Sequence, residues 1–233
     1  MPFFVIGAIA VVAAPVLLLI RASQQRKLGQ IQGTETSTCA QLEETRAQVN
    51  SGVGAGSFIQ RAEVKGVSEC DQPLRAEFTG SECVAYSIKL EREYEEQKWE
   101  TDSEGRRTQR TVRGSETLSS NERRAPFRLR DSTGAVKIIP DGADLVMETS
   151  LSKFENSFAG DRFSVGSFAF DLARSVLGAG RRTLGYRYEE RIIPVGRDIY
   201  VLGEAADSSG ELAIRRSSTK GEKFIISVKS EEE

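Results

Sequence analysis

The side chains able to do chemistry in this 233-residue chain are few: Cys39, Cys70 and Cys83, scattered carboxylates, and arginines at Arg106, Arg107, Arg110, Arg113, Arg123 and Arg124, with no histidine anywhere. Without an imidazole there is no Ser-His-Asp or Cys-His nucleophile, no histidine acid or base and no histidine metal ligand. A structural zinc needs four closely spaced Cys or His ligands, which three scattered thiols do not supply. The residues therefore imply no metal, no cofactor and no catalytic group. Lys, Glu, Asp and Tyr remain as acid-base candidates, but no recognisable motif gathers them. An odd, small number of cysteines fits a reducing compartment with buried thiols rather than a disulfide framework. Cys83 has no base beside it and reads as a small core or edge residue.

The arginines face an acidic arm. Glu91, Glu93, Glu95, Glu96, Glu100 and Asp102 lead into a turn at Gly105, and Arg106, Arg107, Arg110 and Arg113 follow it. An antiparallel hairpin with cross-strand ion pairs is the structural expectation. The functional alternative is a patch, extended by Arg123 and Arg124, for anionic lipid or a protein partner. Lys+Arg 32 against Asp+Glu 34 leaves no overall field to recruit nucleic acid.

The elements that position these groups begin with an apolar run, Phe3 to Ile20, followed by Arg21, Arg26 and Lys27. It is long enough to cross a bilayer and lacks both the basic start and the small-residue cleavage site of a secretory signal, so one transmembrane helix is expected over 3–20. The flanking charge places the rest on the cytoplasmic side, as for a single-pass protein of a bacterial inner membrane. Residues 21–57 read as a juxtamembrane linker and a short helix from Cys39, with Thr38 and Gln41 forming a capping box. From Phe58 the pattern has period two. Val84, Tyr86, Ile88 and Leu90 share one face of a strand, Phe127 and Leu129 alternate with Arg128 and Arg130 ahead of an Asp131–Gly134 turn, and Leu145 to Phe154 reads as a strand. Gly114 to Arg124 reads as a loop or mobile hairpin edge. Short strands follow at Tyr186–Pro194, Asp198–Ala205, Glu211–Ser217 and Lys223–Lys229. The whole is mainly β, an antiparallel barrel or sandwich with an OB-like C-terminal part as one form of it. A helical insertion is expected over about 157–183, where Phe168, Leu172 and Val176 recur at helical spacing before Gly178. Residues 58–229 form the β domain and 230–233 a solvated acidic tail.

Cys83-Val-Ala-Tyr86, the Pro126-Phe127 … Asp131-x-x-Gly134 … Pro140-x-Gly-Ala143 run, Gly185-Tyr-Arg-Tyr188-Glu189-Glu190 … Pro194-Val-Gly196 and Tyr200-Val-Leu-Gly203-Glu204 together resemble the GIDE (BAM) domain. That domain is the membrane-anchored part of ubiquitin ligases of the MULAN or MAPL type. The resemblance implies a β domain beside a bilayer. It also implies, in the relatives, a second transmembrane helix and a zinc-binding RING that recruits the ubiquitin-charged enzyme. These 233 residues hold too few Cys and His for that RING, so ligase activity is not expected of them alone. The motif residues are expected to be structural, with Glu189, Glu190 and Glu204 on solvent faces of their strands.

Three functional expectations follow. The first is a membrane-anchored, non-catalytic module that binds lipid or protein. The second is a component of a ubiquitin-ligase system that borrows a RING from a partner. The third is a scaffold that self-associates as a homo-oligomer through its sheet edges.

Overall fold

The structure, a computed structural model, describes residues 36–101, 103, 105–156, 162–165, 168–171 and 181–229. Among them are one helix, α1 (Cys39–Val53), and the strands β1 (Ile59–Glu69), β2 (Leu74–Arg75), β3 (Glu82–Thr101), β4 (Arg107–Arg124), β5 (Phe127–Arg130), β6 (Ala135–Ile138) and β7 (Asp144–Val146). The chain continues with β8 (Glu148–Glu155), β9 (Arg162–Val165), β10 (Phe168–Asp171), β11 (Arg181–Pro194), β12 (Asp198–Ala206), β13 (Ala213–Arg215) and β14 (Ile225–Ser227).

Five strands close a ring in the order β1, β5, β6, β13, β12 and back to β1, with β6 and β13 parallel and the other neighbours antiparallel. The short β14 shares an edge of β12 with β13 and carries β7 beside it. The period-two pattern decides which side chains fill the ring: Ala62, Val64, Phe127, Leu129, Val136, Ile138, Val201, Ala205 and Ile214 are all buried in one cluster. Each large aliphatic or aromatic side chain so enclosed contributes roughly 1.5–3 kcal/mol. Helix α1 lays Cys39 and Leu42 on this core. Its capping box forms as the sequence predicts, with Gln41 N–H donating to Thr38 Oγ1 and Thr38 N–H to Gln41 Oε1.

The second layer is a five-stranded sheet in which β3 lies between β11 and a flank shared by β2 and β4, and β8 pairs the far edge of β11. Tyr86, Ile88, Leu90, Tyr186, Tyr188 and Ile192 form its own core, closed by Ala76 and Phe78 from the segment between β2 and β3. The chain passes from barrel to sheet and back twice, so neither layer is a continuous stretch of sequence.

The structure refines the expected elements. Of the two readings of Gly114 to Arg124, loop or hairpin edge, the edge holds: its polar residues suit that position, and β4 is paired to β3 as far as Ala85–Arg124. Within the insertion expected to be helical over about 157–183, Phe168–Asp171 is strand, paired antiparallel with Arg162–Val165, because Phe163, Val165, Phe168 and Phe170 also alternate with period two; Leu172, Val176 and Gly178, on which the helical spacing rests, lie outside the described residues. Residues 172–180 lie outside the described residues. The barrel is not confined to C-terminal strands, since β1 and β5 are two of its five staves. The segment from Leu145 to Phe154 is strand but is divided between barrel and sheet as β7 and β8. No helix of the described residues is long and apolar enough to cross a membrane. The expected span 3–20 lies outside the described residues.

Gly203 shows how tightly the barrel wall is packed. A Cβ there would stand 2.8 Å from Ile214 Cγ2, 2.8 Å from Phe224 Cδ2 and 3.0 Å from the Arg215 carbonyl oxygen. Gly203→Ala is expected to destabilise the fold by about 1–3 kcal/mol, read as a lowered urea midpoint at unchanged slope.

Candidate functional site

Buried carboxylates are where catalytic acids and bases are usually found, and this fold has several. Glu190 and Glu204, expected to face solvent, are buried. Glu190 lies on the inner face of the sheet, where its carboxylate accepts from Phe78 N–H at 2.6 Å, Thr79 N–H at 3.3 Å, Thr79 Oγ1 at 2.6 Å and Ser150 Oγ at 2.7 Å. It clamps the loop that closes the second core. Glu204 is on the outer face of the barrel, accepts from Ser217 Oγ at 2.7 Å and has Arg215 Nε at 3.7 Å. Glu189 is partly exposed and pairs with Arg191 of its own strand. The three carboxylates are divided between two sheets and do not converge on one site.

Asp131 performs the corresponding task for the helix. Oδ2 accepts from Cys39 N–H at 2.7 Å, at the orphan end of α1, while Oδ1 accepts from Thr133 N–H and Thr133 Oγ1 at 2.7 Å and from Gly134 N–H at 2.9 Å. Burial opposes its charge, but these donors outweigh it and bring the carboxyl down to about 2. Asp207 holds the other end of α1, accepting from Asn50 Nδ2 at 2.6 Å and Phe58 N–H at 3.1 Å. Upstream of α1, Ser37 N–H donates to the Glu63 carbonyl at 2.8 Å and Thr36 Oγ1 donates to the buried Glu63 carboxylate.

The two buried thiols are chemically quiet. Burial, reinforced by the nearby charge of Asp131, pushes Cys39 up to about 11, and burial with the charge of Glu190 does the same to Cys83. Cys83 Sγ donates to the Leu74 carbonyl at 3.7 Å. Cys70, half-buried, donates to the Pro126 carbonyl at 3.7 Å. Two tyrosines are held neutral: burial and Glu155 raise Tyr188, and burial and Glu77, which accepts from the Tyr86 hydroxyl at 2.8 Å, raise Tyr86. Phe127 is core, Pro126 is exposed, and Gly196 occupies a positive-φ turn (φ 80°) whose N–H donates to the Ser68 carbonyl at 2.8 Å. Among the described residues no group of three or more His, Cys, Asp or Glu is placed to hold a metal ion.

The six arginines do not form one patch. Arg124 is an internal brace: Nη1 donates to the Pro140 and Ala143 carbonyls at 2.9 Å each, and Nε donates to Glu122 at 2.9 Å. Arg123 is exposed opposite Tyr86. Arg106, just before β4, and Arg107, Arg110 and Arg113 at its far end are ten or more residues away, or roughly 33 Å at the usual strand rise. The expected cross-arm pairing is sparse there, with Arg110 Nη1 3.7 Å from Glu100. The acidic arm pairs instead with β11, on its other edge: Glu96 with Arg181 at 2.9 Å, Glu95 with Arg182 at 2.9 Å and Glu93 with Arg187 at 2.8 Å. The reason is register, since β11 sets Arg181 opposite Glu96 and Arg182 opposite Glu95.

A groove of about 580 Å³ runs along β5 and β6, lined by Cys70, Pro126, Arg128, Arg130, Lys137 and Glu211 among others. Arg130 pairs with Glu69 at 2.7 Å and Lys137 with Glu211 at 2.8 Å. Arg128 projects from the same strand face, exposed, with no ion pair among the described residues. Sequence reasoning recognised the strand but not this groove, because its walls come from three separated segments.

The model of the GIDE family, described as E3 ubiquitin ligase, matches residues 95–233. The chain belongs to the GIDE family. No curated protein and no solved structure matches the chain. The GIDE match begins inside β3 and omits β1, which closes the barrel by pairing both β5 and β12.

Residues 95–233 produced alone are therefore expected not to fold, giving a collapsed amide proton spectrum, whereas the full chain gives a dispersed one. The Asp131 carboxyl is lowered in the folded state, so its contribution is present above about pH 4 and is lost as pH falls toward about 2. Asp131→Asn should cost about 1–2 kcal/mol at neutral pH and flatten the acid limb of stability between those values, as read by urea unfolding at a series of pH values.

Proposed function

We propose that this GIDE chain is a membrane-tethered recognition module that binds a partner and does no chemistry of its own. The observation that carries this is the use made of its reactive groups. Glu190 and Asp131 are saturated by donors from the fold they brace, and Cys39 and Cys83 are buried and raised to about 11. Catalytic groups need the opposite, an unspent lone pair or a lowered thiol facing a site. The apolar run over 3–20 supplies the tether, and its flanking charges favour the cytoplasmic side.

The ring order, with β1, β5, β6, β12 and β13 as first to fifth staves arranged 1-2-3-5-4, supports an OB-like barrel. Such barrels take extended ligands across their second and third strands and the loops beside them. The groove along β5 and β6 occupies that position, and its mixed charges, with Arg128 unspent, suit a polar protein segment carrying a carboxylate. This is an analogy of fold, joined here to a groove that exists in the chain. The family description favours a second reading, in which the module works within a ubiquitin-ligase assembly whose RING comes from a partner.

Two assays on the purified full chain separate these. With ubiquitin-charged conjugating enzyme it is expected not to accelerate discharge, and acceleration by the chain alone would overturn the proposal. Recovered from membranes by affinity purification, it is expected to bring a protein partner whose yield falls at least fivefold in Arg128→Glu. Equal recovery with that variant would remove the groove from the account.

A further inference from the structure

The chain's single tryptophan is Trp99, and it is 65 % exposed near the end of β3. Its surroundings are unusual in three respects. First, β11 pairs β3 only as far as Glu96, so beyond that residue the β3–β4 hairpin runs on as a two-stranded ribbon among the described residues. A two-stranded ribbon has no core in which to bury an indole, and such ribbons are marginal in water.

Second, register sorts the ribbon's charges by face. Trp99 lies opposite Gln109, Gln97 opposite Thr111 and Glu95 opposite Arg113, so alternation puts Trp99 on the same face as Arg107 and Arg113, with Gln97, Gln109 and Thr111 between them. Lys98 and Arg110 point the other way, where Lys98 pairs with Glu96 at 2.9 Å and Arg110 meets Glu100 at 3.7 Å. Arg107 and Arg113 make no ion pair among the described residues. The acidic residues on the indole's own face, Glu95 and Glu93, are committed to Arg182 and Arg187 of β11. The charges of the opposite face and the carboxylates of this one are thus neutralised, and the cations left unspent, Arg107 and Arg113, share the indole's face.

Third, the composition of that face, one indole between two arginines on a flat polar strand surface, matches an anionic bilayer boundary. Tryptophan partitions to the headgroup level, and juxtamembrane arginines are attracted by anionic lipid. We propose that the Trp99, Arg107 and Arg113 face of the β3–β4 ribbon docks on an anionic phospholipid surface, with the indole seated among the headgroups. This rests on the tethered reading above and adds a second, reversible contact, which would set how the barrel groove is presented over the membrane.

Because Trp99 is the only indole, its fluorescence reports this contact and nothing else. The full chain is reconstituted in vesicles of phosphatidylcholine alone or of phosphatidylcholine mixed with phosphatidylserine. Each composition is also prepared with brominated acyl chains, which quench a nearby indole. The expected result is a blue-shifted and quenched Trp99 in the serine-containing vesicles only, reversed by high salt. Arg107→Ala and Arg113→Ala should each weaken the docking equilibrium about fivefold, while Lys98→Ala, on the other face, should leave it unchanged. Identical emission in both vesicles overturns the proposal. An equal shift in neutral vesicles also overturns it, since the indole would then insert without anion recognition. Flotation in the same samples keeps the two claims apart: a chain that floats with a silent Trp99 disproves only the ribbon contact. A chain that does not float disproves the tether, and its emission with added anionic vesicles then decides the ribbon contact separately.

Discussion

Nine registered residue pairs between β1 and β12, from Ile59–Ala206 to Val67–Asp198, close the barrel, and the rest of the molecule depends on that closure. Strand β1 comes before all the sheet strands and β12 after them, so the barrel cannot shut until the whole intervening chain has been laid out. The same seam joins the layers. Ser68, near the end of β1, donates through its hydroxyl to the Pro194 carbonyl at 2.7 Å at the end of β11, and Gly196 N–H returns a bond to the Ser68 carbonyl at 2.8 Å. One short stretch of backbone thus fixes where the long sheet leaves the barrel and in which direction its ribbon extends.

This dependence explains why the acidic groups are buried and yet bonded within the fold. A polar group buried without partners costs roughly 1–3 kcal/mol, so the fold surrounds Glu190 and Asp131 with donors at the points where loops and helix ends must be held. Asp131 and Asp207 pin the two ends of α1 against the barrel. The surfaces on which the proposed recognition rests are the barrel groove and the β3–β4 ribbon, both built from strand faces that carry unspent arginine.

Much of this was legible in the sequence wherever alternation was strict. Phe127 and Leu129 in, Arg128 and Arg130 out, with Asp131 and Gly134 at the turn, needed only period two and turn chemistry, and the Thr38–Gln41 capping box marked the helix start. The failures have physical causes. Gly114 to Arg124 left loop and hairpin edge undecided because an edge strand with little apolar content carries a weak pattern. Phe168 to Asp171 suited helical and strand spacing at once, and only its pairing with Arg162–Val165 decided between them. The burial of Glu190 and Glu204 was hidden because alternation says which residues share a face and not what covers it. The ribbon's sorting of charges required the register of two strands, which no single segment encodes.

The most direct measurement is amide hydrogen exchange of the full chain in membranes, followed across rising urea. Barrel amides in β1 and β12 and sheet amides in β3 and β11 up to Glu96 are expected to converge on one opening free energy, with ribbon amides beyond Glu96 exchanging earlier. Barrel and sheet amides that open in two separate steps would contradict an interlaced single unit closed by β1.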